Sequence, residues 1–448
     1  MSAQTRFEPY PETKDSGIEW LGEIPAHWEA RRLKLIATIN DEALGEDTDS
    51  EYEIAYVDIG NVDATRGILE KESYLFSDAP SRARRIVRDG DVIVSTVRTY
   101  LRAIAPISDP EPNLVVSTGF AVIRPRSGLG TGYASYMLRA PYFVDRVVAE
   151  SVGVSYPAIN AWQLGTFGVA VPDKDEQQAI AEFLDRETAV IDALDEKKER
   201  LIELLQEKRT ALITNAVTKG LDPDAPMKDS GIEWLGQIPA HWDVVRLKHA
   251  SGGLTVGVVV NPSTYVCDSG VPFLRGVDIA EGRILRDSVQ FMSEESNRVL
   301  SKSTLRSGDL VSIRVGYPGV TAVVPEELDG SNCASLMITR RSDRASSGFL
   351  CLVMNSAVGK AQFAMLQNGA AQEQINVSDA VDFLVPMPPV PEQQAVATFL
   401  DRETAKIDAL IAKVGEAIER LKEYRTALIS AAVTGKIDVR GEAEPDHA

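Results

Sequence analysis

Along this chain the spacing of apolar positions changes its period twice, in the same way each time. Short β-rich runs bounded by Gly, Pro and Asp come first: Ile54–Ile59, Asp91–Val97 and Val115–Arg124, then Asp309–Val315 and Ala334–Thr339. They predict strands of a mixed, irregular sheet in each half. Tyr133–Glu150 and Gly348–Asn368 predict helices, with Met137, Leu138, Phe143 and Val147 recurring at helical intervals. Past Val169-Ala170-Val171-Pro172 and Val385-Pro386-Met387-Pro388 the pattern lengthens into steps of three and four. The first such run is Leu184, Ile191, Leu194, Leu201, Leu205 and Leu212; the second is Leu400, Ile407, Leu410, Ala417, Leu421 and Leu428.

These runs predict two long helices. Pro391-Glu392 is a start signal, because proline suits the first turn and an acid there faces the positive end of the dipole; the first copy opens on Asp175-Glu176. Gly220 and Pro223 stop the first helix and Gly435 the second. As one helix, residues 176–216 would span about 60 Å at ~1.5 Å per residue, the length of a spacer. Lys198 and Lys208 stand where the second helix has Val414 and Tyr424, which predicts hetero-complementary packing and not a uniform zipper. The first helix carries the chain into the second half and the second leaves it, so their packing would be antiparallel. The expected result is a dumbbell with pseudo-two-fold symmetry and a C-terminus returned to the first module; one compact body with the helices folded against the sheets is the competing arrangement.

The periodicity repeats because the chain does. Lys14–Trp28 returns as Lys228–Trp242 with one change, Glu23 to Gln237, and Glu176–Leu194 matches Glu392–Leu410 at 16 of 19 positions. Arg209-Thr210-Ala211-Leu212-Ile213 likewise returns as Arg425-Thr426-Ala427-Leu428-Ile429. The offset is 214 at the first pair and 216 at the others, which is a tandem duplication of whole modules. Between the matched blocks, about 40–155 against 254–371, the halves have diverged, although the anchors Gly90-Asp91 and Gly308-Asp309 survive. Matched surfaces can engage two copies of one partner while unmatched surfaces read unlike targets; loops that simply drifted after duplication are the alternative. The expected class is α+β: mixed α/β modules over 1–174 and 221–390, spacer helices over 175–220 and 391–438, and a flexible tail over 439–448.

Composition narrows the function. With 448 residues and 44% hydrophobic content the chain can bury two ordinary cores. No apolar run approaches the ~18 residues of a membrane span. Met1–Thr13 is polar, with no secretory segment, so a cytoplasmic location is expected. Cys267, Cys333 and Cys351 have no Cys-x-x-Cys spacing, which argues against a disulfide framework or a zinc site.

A net charge of −19 opposes non-specific DNA binding, yet charge acts locally. Arg82, Arg84, Arg85, Arg88, Arg98 and Arg102 surround one Gly-Asp anchor; Arg298, Lys302, Arg306 and Arg314 surround the other. Solvated arginines paired with nearby acids are the alternative reading. Catalytic constellations are missing: no phosphate loop, no His-Glu-x-x-His, no Asn/Asp-Pro-Pro-Tyr/Phe tetrapeptide and no Gly-rich turn suited to S-adenosylmethionine. His27 and His241, each beside a tryptophan, read as structural. The chain is expected to be non-catalytic, without cofactor or metal.

Gly17–Trp28 opening each module and Glu176–Asp185 opening each long helix resemble the specificity subunit of type I restriction-modification systems. The resemblance implies that each variable module is a target-recognition domain reading one half of a bipartite site in double-stranded DNA, and that the helices form an antiparallel coiled coil fixing their separation. It further implies two methyltransferase subunits as partners, carrying S-adenosylmethionine and modifying adenine, and ATP-driven restriction/translocase subunits in the full complex. DNA-facing loops would then follow the Gly-Asp strands, with Thr96, Arg98, Tyr100 and Arg102 as candidates in the first module, Arg314 and Tyr317 in the second, and Arg275 as a further one. For Arg98 a base or phosphate contact and a surface ion pair both remain open. Two rival functions are a stand-alone DNA-binding or scaffold protein dimerising through its helices, and an acidic DNA mimic; the clustered arginines count against the mimic.

Overall fold

The computed structural model describes residues 7–367 and 374–441. It divides into two compact units, Met1–Glu199 with Glu416–Ala448, and Arg200–Gly415. The class is α+β, as the periodicity predicts. Among the described residues each unit holds two four-stranded sheets, with three two-stranded ones besides, where the sequence suggests one sheet.

In the first unit Ile104–Pro106, Val92–Ser95, Phe120–Pro125 and Ala37–Ile39 form an antiparallel sheet in that order. A mixed sheet follows the order Glu72–Leu75, Glu53–Val57, Leu114–Ser117 and Ala83–Ile86, with Glu53–Val57 and Leu114–Ser117 parallel. The predicted strand Val115–Arg124 is therefore two strands in two sheets, parted by a turn at Thr118-Gly119 that moves the chain from one sheet to the other. The second unit repeats the antiparallel sheet with Leu254–Val256, Met337–Thr339, Leu310–Ser312 and Thr321–Val323. It also repeats the parallel pair, as Val271–Leu274 beside Asn332–Cys333. Here the extra strand, Val266–Cys267, lies beyond Gln290–Met292, whereas the first unit adds Ala83–Ile86 at the opposite edge. The diverged stretches thus keep a common frame and decorate different edges of it.

The surviving Gly-Asp anchors explain themselves in this frame. Asp91 and Asp309 are buried, and each closes its own turn by accepting the N–H of Arg88 or Arg306. Each also receives an arginine from the neighbouring sheet strand or its end: Arg124 in two 2.8 Å bonds to Asp91, and Arg340 in one of 2.6 Å to Asp309. A buried carboxylate needs such a partner, so the anchor cannot drift alone.

Both predicted module helices are broken. Tyr133–Glu150 is Thr131–Met137 and Pro141–Ala149, because Pro141 has no N–H to continue the ladder and starts a new helix instead. Gly348–Asn368 is Ser347–Asn355 and Ala357–Gln367, bent by 69° at Ser356; Asn368 lies outside the described residues. No single described helix is long and apolar enough to cross a membrane.

The long helices run over Lys174–Lys219 and Val390–Val433. Gly220 and Gly435, at φ 76° and 68°, end them in the left-handed conformation that favours glycine. Within the first unit Leu184 and Ile191 share a core with Leu428, Ile429 and Ala432; within the second, Ile213, Ala216 and Val217 share one with Val396 and Leu400. In each unit the start of one long helix meets the end of the other, so they pair antiparallel. Leu205 and Ile407 are also buried, and Leu212 and Leu421 partly so. Leu194 and Leu201 at 41% exposure and Leu410 at 45% stand off the seam, and buried Thr188 and Thr404 occupy it, their hydroxyls bonded to the carbonyls of Leu184 and Leu400.

Candidate nucleic-acid interface

The matched blocks meet at one carboxylate in each unit. Glu176, in the first turn of its helix, accepts Trp28 Nε1 at 2.9 Å and the Tyr10 hydroxyl at 2.7 Å, with His27 Nε2 at 2.9 Å. Burial together with the Glu176 hydrogen bond raises the Tyr10 pKa, so the phenol stays a donor. Glu392 takes the same place for Trp242 at 3.1 Å and His241 at 2.8 Å. The next residue is a second clamp: Gln177 accepts the Gly130 N–H at 2.7 Å and donates to the Pro172 carbonyl at 2.9 Å, and Gln393 does the same to Ser346 and Pro388. An ion pair repeats as well, Arg425 to Asp192 in the first unit and Arg209 to Asp408 in the second, each at 2.9 Å. The repeated residues therefore bind each variable module to its helix in the same way.

The candidate contact residues separate by environment. Thr96 is buried, its N–H and hydroxyl both donated to the Gly119 carbonyl at 2.8 Å. Arg314, at the equivalent point of the second unit, is also buried, with Nε on the Ile375 carbonyl at 3.0 Å and its pKa lowered by that burial. These two hold their loops in place. Arg275 is half-buried and donates Nη2 to the Ser288 carbonyl at 2.6 Å. Arg102 is exposed but paired with Asp145 at 2.8 Å. Tyr100 and Tyr317 are exposed, the latter at 81%.

Arg98 is different. It is exposed, and among the described residues no carboxylate lies within ion-pair distance of it. Its guanidinium lies over the ring of Tyr156, 5.0 Å from the centroid. Both border an open cleft of about 320 Å³ whose floor includes Gly60, Ser117 and Gly119. The other arginines of this stretch are more engaged: Arg82 pairs with Asp58 and Arg88 with Glu42, Arg84 lies over Phe76, and burial lowers the Arg85 pKa. The local positive field is consequently smaller than a count of arginines suggests.

Sequence reasoning did not find Tyr156, Arg124, Arg340 or the two glutamines. Tyr156 lies 58 positions from Arg98 on a divergent loop, with no signal of its own. Gln177 and Gln393 lay inside the matched blocks, and a polar residue kept beside a helix start was the available clue. Among the described residues no group of three or more His, Cys, Asp or Glu could hold a metal ion.

Comparison with known proteins agrees on one family. Residues 25–204 match the model of the type I restriction modification DNA specificity domain. A Methanocaldococcus jannaschii protein, described provisionally as the type I restriction enzyme MjaX specificity subunit, is 24% identical, covering 94% of this chain and 96% of its own. The EcoBI specificity subunit of Escherichia coli is 24% identical over 68% of this chain and 66% of its own. Among solved structures, a chain from a study of complex assembly in the type I R-M system superposes with TM-score 0.67 at 23% identity, covering 94% of this chain and 99% of its own. The HsdS subunit of Thermoanaerobacter tengcongensis gives 0.50 at 21%, covering 92% and 98%.

Proposed function

We infer that this chain, a member of the type I restriction-modification DNA specificity family, is the non-catalytic specificity subunit of such a complex. Each variable module reads one half of a split DNA site. The observation that carries this reading is the double frame: one carboxylate node, one glutamine clamp and one ion pair, built twice from matched residues, hold two modules whose remaining surfaces differ. A protein that binds two identical partners while reading two unlike sequences needs that division.

The partners we propose are double-stranded DNA and two methyltransferase subunits docked on the matched surfaces, joined by restriction/translocase subunits in the full complex. S-adenosylmethionine and ATP are then held by those partners. On this reading the exposed Arg98, Tyr100 and Tyr317 face DNA, Arg and Lys side chains fix register on phosphates, and base edges in the major groove supply specificity. Mapping methylated adenines genome-wide with and without the chain tests it. The expected result is a two-part motif that appears only when the chain is present. One uninterrupted motif, or none, overturns the reading, and tight sequence-specific binding by the chain without any methyltransferase would favour a stand-alone binder.

A further inference from the structure

We propose that Arg98, placed over the Tyr156 ring, reads a guanine in the half-site of the first module, and that the second module has no equivalent reader at this position. The proposal rests on the specificity-subunit reading and deepens it by naming a residue and the base chemistry it recognises.

The loops after the central strands can be matched between modules by their hydrogen bonds. Ser95 N–H bonds the Ala103 carbonyl and Ile313 N–H bonds that of Val320; Val97 bridges Ala158 and Val315 bridges Gln374. Arg98 therefore follows Val97 as Gly316 follows Val315. Both residues take positive φ, 53° for Arg98 and 88° for Gly316. Glycine adopts this conformation freely, whereas a side chain there is strained. The first module carries an arginine in a conformation that the second gives to glycine, so the fold itself does not require the side chain.

Among the described residues that side chain makes no hydrogen bond or ion pair, and its one aromatic contact is the Tyr156 ring. The Arg98 backbone is anchored by an N–H bond to the Pro157 carbonyl at 2.8 Å. Among the described residues the guanidinium has no acid partner, and it lies over Tyr156, itself 62% exposed. Tyr156 sits on a short hairpin closed by reciprocal bonds between Val152 and Ala158 at 2.9 and 3.0 Å, with fully exposed Val154 at its tip. A guanidinium resting over a ring loses rotational freedom while its N–H donors stay available. Two parallel N–H donors match the O6 and N7 acceptors of guanine in the major groove. Asp58, the acid bordering the same cleft, is occupied by Arg82 and does not compete. The counterpart of the hairpin tip in the second unit lies outside the described residues.

The test uses the chain assembled with its methyltransferase partners, and duplexes in which each position of the mapped site is varied in turn. Arg98→Gly should lower discrimination at one G·C pair on the order of 10- to 100-fold. That loss should be confined to one half-site, and the thermal midpoint should not fall. Tyr156→Ala should weaken discrimination at the same pair, and Tyr156→Phe should restore it. An unchanged profile for Arg98→Gly overturns the proposal while the split-site reading stands. Weakening that is uniform over all sequences makes Arg98 a phosphate contact and also overturns it, as does a fall in thermal midpoint that accounts for the loss. If the wild-type complex recognises no split site, the functional reading and this inference fall together.

Discussion

The carboxylate nodes at Glu176 and Glu392 are built from the same sequence and end in different environments. The Glu176 side chain is 3% exposed and that of Glu392 is 31%. What passes over each node makes the difference. In the first unit two segments distant in sequence meet there: Asp438 N–H bonds the Glu8 carbonyl at 2.8 Å, and Tyr10, Ile437 and Val439 are buried. Arg440 adds a guanidinium over the Tyr10 ring at 4.9 Å and lies 3.7 Å from Glu176. In the second unit the same point of the chain is a continuous linker that leaves Leu221 exposed. A duplicated sequence thus gives one sealed joint and one open joint, because Tyr10 and Ile437–Arg440 close over the first node and the linker at Leu221 leaves the second open.

The largest test of this contrast removes the acceptor. Glu176→Ala leaves the Trp28 and Tyr10 donors buried and unpaired and should cost about 3 kcal/mol or more, whereas Glu392→Ala, open to water, should cost about 1 kcal/mol. Hydrogen exchange of the two tryptophan indoles resolves the units separately; equal effects would dissolve the contrast. The helix seam reverses the order. Leu205 is buried where its repeat mate Leu421 is only partly so, and Leu205→Asp should cost about 3 kcal/mol against about 1.5 kcal/mol for Leu421→Asp. Loss of amide protection along each helix measures both, and wild-type protection in Leu205→Asp would remove the coiled-coil account.

A smaller difference is expected at the repeated ion pair. Arg425 is 13% exposed and bonds Asp192 through two nitrogens, while Arg209 is more exposed and uses one. Arg425→Ala should cost about 1 to 2 kcal/mol and Arg209→Ala under about 0.5 kcal/mol by urea unfolding. The smallest perturbation is chemical labelling. Burial pushes the Cys333 and Cys351 thiols up to about 12, so little thiolate exists at pH 8, and Cys267, half-buried, should be the one that reacts with an alkylating reagent. Because all three lie in the second unit, labelling of the buried pair should rise in Glu392→Ala and not in Glu176→Ala.

Much of the candidate interface was not legible because its parts are distant in sequence. Arg98 could be singled out as a cation near a strand end, but Tyr156 gives no periodic or repeat signal. Thr96 and Arg314 looked like neighbours of that site, yet the strand carries them inward. The arginine windows overstated the basic patch, since the acids that pair with Arg82, Arg88 and Arg102 are remote in the chain: Asp58, Glu42 and Asp145.

The sequence by itself determined the duplication, the α+β class, the two long helices and their glycine stops, because period, propensity and capping act over a few residues and are written locally. Tertiary structure alone decided which helix face is sealed, leaving Leu194, Leu201 and Leu410 outside and Thr188 and Thr404 within. It also decided how Val115–Arg124 is shared between two sheets and why one glutamate is dry and its twin wet. Those outcomes depend on groups brought together from distant parts of the chain, and a helical stripe of apolar residues is wider than the seam that finally buries it.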